Sequence, residues 1–180
     1  MIKKIILFSS ILISYSSIQA QPNANFREVS DCDSDLFNGN FCSKSNISRY
    51  KDVLKTSKAN FDHKFILLNT GTLDSLELIA LDTQTGIGYP LNYQFTGWED
   101  NNGNLKKKPS YTFSLNDSRV CLMGSQYDGD HPGTHQTYSN IRNCFHIKKD
   151  DKYTSFESTY IDLVQYEYNV QKNVWVPYSN

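Results

Sequence analysis

The sequence predicts a mainly β (α+β) fold: a single antiparallel sheet, a sandwich or a partly open barrel, with one short N-terminal helix and two disulfides. Three observations carry that expectation. Past Asn60 the chain is a succession of short apolar runs separated by Gly, Pro, Asn and Asp, the punctuation of strands and tight turns. Tyr, Phe and Trp together number 24 of 180 residues, which suits half-wet sheet faces and is too many for a disordered chain. Four cysteines, Cys32, Cys42, Cys121 and Cys144, follow what reads as an export signal, and an exported chain with an even cysteine count is read as bridged.

The signal is the segment 1–20. Lys3 and Lys4 give a cationic start, residues 5–13 are apolar apart from Ser9 and Ser10, and Ala20 supplies a small residue before Gln21. The apolar stretch is shorter than the roughly 20 residues that span a bilayer, so the expected product is soluble, unanchored and periplasmic or secreted. Residues 21–44, rich in Asn, Asp and Ser, are expected to be irregular and pinned by a disulfide, and residues 45–180 to form one β-rich globular domain. Three cysteine pairings are possible. Pairing within the local groups, Cys32 with Cys42 and Cys121 with Cys144, is the simplest.

Ile47, Tyr50, Val53 and Leu54 fall at helical spacing, with Ser45 or Ser48 as cap and Lys55 and Lys58 at the C-terminal end, which predicts a helix over 46–58. Apolar runs at 64–69, 76–81 and 87–93 read as strands, the last two joined by a turn ending in Gly86. Pro90 lacks a ladder donor and places its strand at an edge or a bulge. Further strands are expected at 110–115, 119–123, 141–147, 153–157, 160–168 and 174–176, with loops at 99–104, 106–109 and 124–139. The short connections imply antiparallel pairing, since parallel strands need crossovers.

Charge excludes some partners. Without the leader, 16 Lys and Arg stand against 19 Asp and Glu, so neither nucleic acid nor an anionic membrane surface is an expected partner. Lys106, Lys107 and Lys108 read as a solvated turn. Asp31, Asp33 and Asp35 cluster about Cys32 and could steer a cationic partner.

The loop around Tyr127, Asp128, Asp130, His131, His135 and Tyr138 is the richest in chemistry. Two carboxylates and two imidazoles could ligate a metal or move protons. Pro132 and Gly133 break the helix that His131 and His135 would need to share a face. Asp128, Asp130 and Gly133 fit part of a calcium loop, yet Ser139 stands where the bidentate Glu belongs. No metal and no cofactor are therefore expected. The cysteine spacings match no zinc site, and no nucleophile elbow, zincin motif, phosphate loop or dinucleotide fingerprint occurs. A non-enzyme is the expectation. Tyr127 and Tyr138 beside carboxylates suit a recognition surface, with Trp98 at a second loop edge and Trp175 expected in the core.

The segment Ile79-Ala80-Leu81-Asp82-Thr83-Gln84-Thr85-Gly86-Ile87-Gly88-Tyr89-Pro90-Leu91, with the later Cys121 strand and the Asn143-Cys144-Phe145 stretch, resembles small exported immunity proteins. These protect Gram-negative cells from periplasm-acting toxins such as type VI secretion effectors. The resemblance spans about 79–145 and implies a non-enzyme that occludes a toxin or cell-wall hydrolase. It matches no binding motif residue by residue, so the binding residues remain those of the loop and Trp98. Two other readings compete: a carbohydrate- or peptidoglycan-binding module stacking sugars on Trp98 and tyrosines, and a metal-dependent hydrolase centred on Asp128, Asp130, His131 and His135.

Overall fold

The computed structural model describes residues 23–30, 32, 40–100, 102, 104–128, 136–149, 154–159, 163–169, 171–172 and 174–178. The expected export signal, residues 1–20, lies outside them. In chain order the first elements are β1 (Glu28–Val29), a 3-10 turn (Asn40–Cys42), α1 (Lys44–Thr56), β2 (Phe65–Asn69), β3 (Ser75–Leu76), β4 (Leu78–Asp82), β5 (Ile87–Pro90) and β6 (Gln94–Thr96). There follow β7 (Trp98–Glu99), β8 (Leu105–Lys107), β9 (Ser110–Thr112), β10 (Arg119–Asp128), β11 (Gln136–Lys149), β12 (Thr154–Ser158), β13 (Val164–Asn169) and β14 (Val174–Pro177).

The helix starts earlier than its sequence pattern suggested. Ser43, rather than Ser45 or Ser48, takes the cap, its backbone extended and its Oγ accepting from the Asn46 N–H at 3.2 Å. At the other end Asn23 Nδ2 donates to the Leu54 and Ser57 carbonyls at 2.7 and 2.6 Å, satisfying acceptors that the last turn leaves open. The stripe expected to face inward does so: Tyr50 and Leu54 are buried, and Ile47 and Val53 pack beside them.

The strands form several sheets instead of one, and none closes into a barrel. The first has the order β1-β5-β4-β2; the second runs β14-β13-β11-β10-β6-β3, with β12 on β11 and β9 on β10; β7 and β8 form a ribbon. Pairing is not wholly antiparallel either. β1 runs parallel to β5, with Glu28 opposite Ile87, and the helix and three strands between them supply the crossover this requires. Residues 21–44 are thus not uniformly irregular, since Val29 and Phe41 are core residues. Pro90 lies past the end of β1, where β5 has no second neighbour to miss an N–H.

Alternation along β2 and β4 explains the layering. Phe65, Leu67, Leu78 and Ala80 point to the second sheet, where they meet Phe95, Val120, Leu122, Ile141 and Phe145. Ile66, Leu68, Ile79 and Leu81 point the other way, onto α1. The first sheet is therefore covered on both faces, which is why its strands read as unbroken apolar runs. The run expected at 76–81 divides at Glu77, where the chain steps from one sheet to the other; Asn69 Oδ1 accepts from the Glu77 N–H and Thr70 N–H donates to its carbonyl.

Asn60 seals the outer edge of β2. Its Oδ1 accepts from the Leu67 N–H at 2.8 Å and its Nδ2 donates to the Leu67 carbonyl at 3.4 Å. The turn after β4 is as expected: Asp82 Oδ1 accepts from the N–H groups of Gln84 and Thr85, and Gly86 takes φ +74°, where a Cβ would strike the Asn25 carbonyl.

Candidate functional site

The β10–β11 hairpin organises the region that the sequence marks as chemically rich. Its strands pair from Arg119↔His146 to Asp128↔Gln136, so most of the expected 124–139 loop is strand and the connection is 129–135. Tyr127 stands opposite Thr137 and Gln94, Tyr138 opposite Gln126, and Asp128 opposite Gln136. Asp130, His131 and His135 lie outside the described residues, as do Asp31, Asp33 and Asp35.

Three devices hold the hairpin. The Cys121–Cys144 disulfide joins directly opposed residues, and Cys32–Cys42 is the second bridge, as the simplest pairing expects. Buried Asn143 donates through Nδ2 to Gln126 Oε1 at 2.9 Å and accepts from Ser158 Oγ at 2.8 Å, so three polar side chains satisfy one another. A bulge between Gly124 and Gln126 then bends the pair. Gly124 has φ +150°, and a Cβ there would strike the Thr96 carbonyl oxygen.

Opposite this bulge Asn140 adopts φ +56°, which frees its side chain to act as a strand partner. Its Oδ1 accepts from the Glu99 N–H and its Nδ2 donates to the Glu99 carbonyl, both at 2.8 Å. This clamp ties β7, and so Trp98, to the hairpin. Two segments singled out separately in the sequence thus belong to one region.

Trp98 itself is a correction. It was expected at a loop edge, available for stacking, but it is a strand residue only 4% exposed. Tyr166 meets its ring edge-on at 5.4 Å, Trp175 lies 5.1 Å away, and Lys107 Nζ sits 5.7 Å from the ring centroid. Its Nε1 has no hydrogen-bond partner among the described residues. Trp175, expected in the core, is half-buried on the outermost strand and also packs on Tyr168 at 5.0 Å. The accessible rings at this corner are Trp175, Tyr166 and Tyr168.

The lysine run is more ordered than a solvated turn. Lys106 pairs with Asp100 at 3.1 Å, Lys107 covers Trp98, and Lys108 pairs with Asp74 at 3.0 Å. Asp100 is held well below the usual carboxylate range, chiefly by the Asn104 N–H, with further help from Lys106, the Asn104 amide and the Asn102 N–H.

Asn140, Asn143, Gln126 and Tyr166 escaped the sequence reading. The available signal was local: Asn is poorly suited to strands, so two asparagines inside an otherwise strand-like run mark positions with a special partner. Among the described residues there is no group of three or more His, Cys, Asp or Glu able to hold a metal ion, and no helix is long and apolar enough to cross a membrane. Both cysteine pairs are bridged, which fits an oxidising compartment. Compared with protein-family models, curated proteins and solved structures, the chain matches none of them.

Proposed function

We propose that this chain is an exported, non-catalytic binding protein of the immunity type, resident in the periplasm, which inhibits a cell-wall-targeting toxin by docking the β10–β11 tip into it. The observation that carries this reading is the clamp of Asn140 on Glu99. It couples the paired strands that carry Tyr127 and Tyr138 to a packed aromatic corner, and a braced strand pair loses little entropy on binding. Tyrosine next to Asp128 supplies contact area together with a charge that attracts a cationic partner.

The test is capture of periplasmic hydrolases by wild type and by a Tyr127→Ala/Asp128→Ala double variant. Wild type should retain a hydrolase and suppress its activity, and the double variant should lose both while melting at the wild-type temperature. Equal capture by the two proteins would remove the hairpin from consideration.

The half-buried rings of Trp175, Tyr166 and Tyr168 favour a second reading, a carbohydrate-binding module. Binding to isolated cell-wall sacculi free of other protein separates it from the first, and Trp175→Ala should abolish it.

A further inference from the structure

The two disulfides occupy opposite environments. Cys121 and Cys144 face each other across paired strands, and Cys144 is 2% exposed. The ladder holds these sulfurs together whether or not they are bonded, so their effective concentration is high and the bond resists reduction. Cys32 is exposed and belongs to no helix or strand. Cys42 ends the 3-10 turn immediately before Ser43, the cap of α1.

That position sets the chemistry of Cys42. The N-terminus of a 13-residue helix carries a partial positive charge, its first turn contains no acidic residue, and its first residue is Lys44. A thiolate on Cys42 is stabilised there. At the other sulfur the environment is reversed, since the Val29 carbonyl oxygen lies 3.8 Å from Cys32 Sγ and disfavours an anion. The sulfur of an exposed residue is thus bonded to one that leaves readily as an anion.

We propose that Cys32–Cys42 is a redox-responsive clasp, opened by dithiol reductants while Cys121–Cys144 stays closed. One thiolate of the reductant bonds to Cys32 Sγ, the Cys32–Cys42 bond breaks, and the electron pair departs on Cys42. The second thiol of the reductant, deprotonated, then attacks its own sulfur in the mixed disulfide and releases Cys32 as a thiolate that takes up a proton. The protein gains two electrons and the reductant becomes a disulfide. Opening removes the covalent tie between the end of β1 and the start of α1, leaving β1 held by its pairing with β5 and the burial of Val29, and the start of α1 by the burial of Phe41. The β2–β4 and β10–β11 pairings do not depend on it.

The experiment equilibrates the purified protein with graded ratios of reduced to oxidised dithiothreitol, traps thiols by alkylation and maps them by mass spectrometry. Cys32 and Cys42 should become labelled at a ratio at least about tenfold less reducing than Cys121 and Cys144, with the far-ultraviolet dichroism unchanged. In a Cys32→Ser variant, the rate of Cys42 alkylation should rise with a midpoint below the free-cysteine value of about 8.5. Opening of both bridges at one ratio, opening of Cys121–Cys144 first, loss of dichroism on selective reduction, or a Cys42 midpoint at or above that of free cysteine would each overturn the proposal.

Discussion

Asn140 gives Glu99 both hydrogen bonds that a neighbouring strand would supply, and it can do so because its own backbone tolerates φ +56°. Replacing it with Ala strands a partly buried N–H and C=O and strains the backbone. Asn140→Ala is expected to cost about 1–3 kcal/mol in urea unfolding and to shift Trp98 emission to the red. Tyr50 presents the opposite case. Its hydroxyl is buried with no partner among the described residues, and burial pushes the phenol above its ordinary value near 10. The unfolded phenol therefore ionises before the folded one, so stability is retained below pH 10 and falls as pH rises beyond it. Tyr50→Phe should remove that alkaline loss and raise stability by up to about 1–2 kcal/mol at neutral pH, checked by urea midpoints at both pH values. For Asp100 the sign is reversed. Its carboxyl is depressed, so its contribution is full at neutral pH and is lost only when pH falls below the ordinary carboxylate range; Asp100→Asn should flatten that acid limb.

At the scale of elements, the hairpin depends on the bridge at its base. Replacing Cys121 and Cys144 together by Ala should lower stability by about 3 kcal/mol, read as a shift in denaturation midpoint, while the ladder still holds the register. That register was legible in the chain: Val120-Cys121-Leu122 and Asn143-Cys144-Phe145 each set a cysteine between residues of the opposite face. The helix was legible too, because Tyr50 and Leu54 share a stripe whatever the cap, as was the Gly86 turn. The outer halves of β10 and β11 were not. Gly124-Ser125-Gln126 and Ser139-Asn140 carry no apolar alternation, and they pair through backbone, a bulge and amide side chains. Trp98 was misread for another reason. The rings that bury it, Tyr166 and Trp175, come from the far end of the sequence, and adjacency to Glu99 and Asp100 gave no hint of them.

For the whole molecule, the decisive feature is a sheet that serves two cores. Phe65 and Ile79 belong to opposite faces of it, one toward the larger sheet and one toward α1. Neither layer can leave without exposing the other's support. Phe65→Ala and Ile79→Ala should each cost about 2–5 kcal/mol, and each should shift one shared unfolding transition, with near- and far-ultraviolet dichroism changing together. Separate transitions would mean that α1 melts independently. This coupling was hidden in the sequence because periodicity identifies apolar strands without assigning them to sheets, and the step at Glu77 falls inside a single apolar run.

Asn60 has a consequence beyond its two hydrogen bonds to Leu67. The margin of β2 is where an intruding peptide could zip onto the molecule and seed fibrils, and the carboxamide already fills those docking points. Exchanging it for valine would bare the Leu67 N–H and carbonyl, next to the Phe65 groups that the backbone of Asn60 and Phe61 still pairs, and a variant so altered should nucleate amyloid, reported by thioflavin binding, under conditions in which the parent stays dispersed.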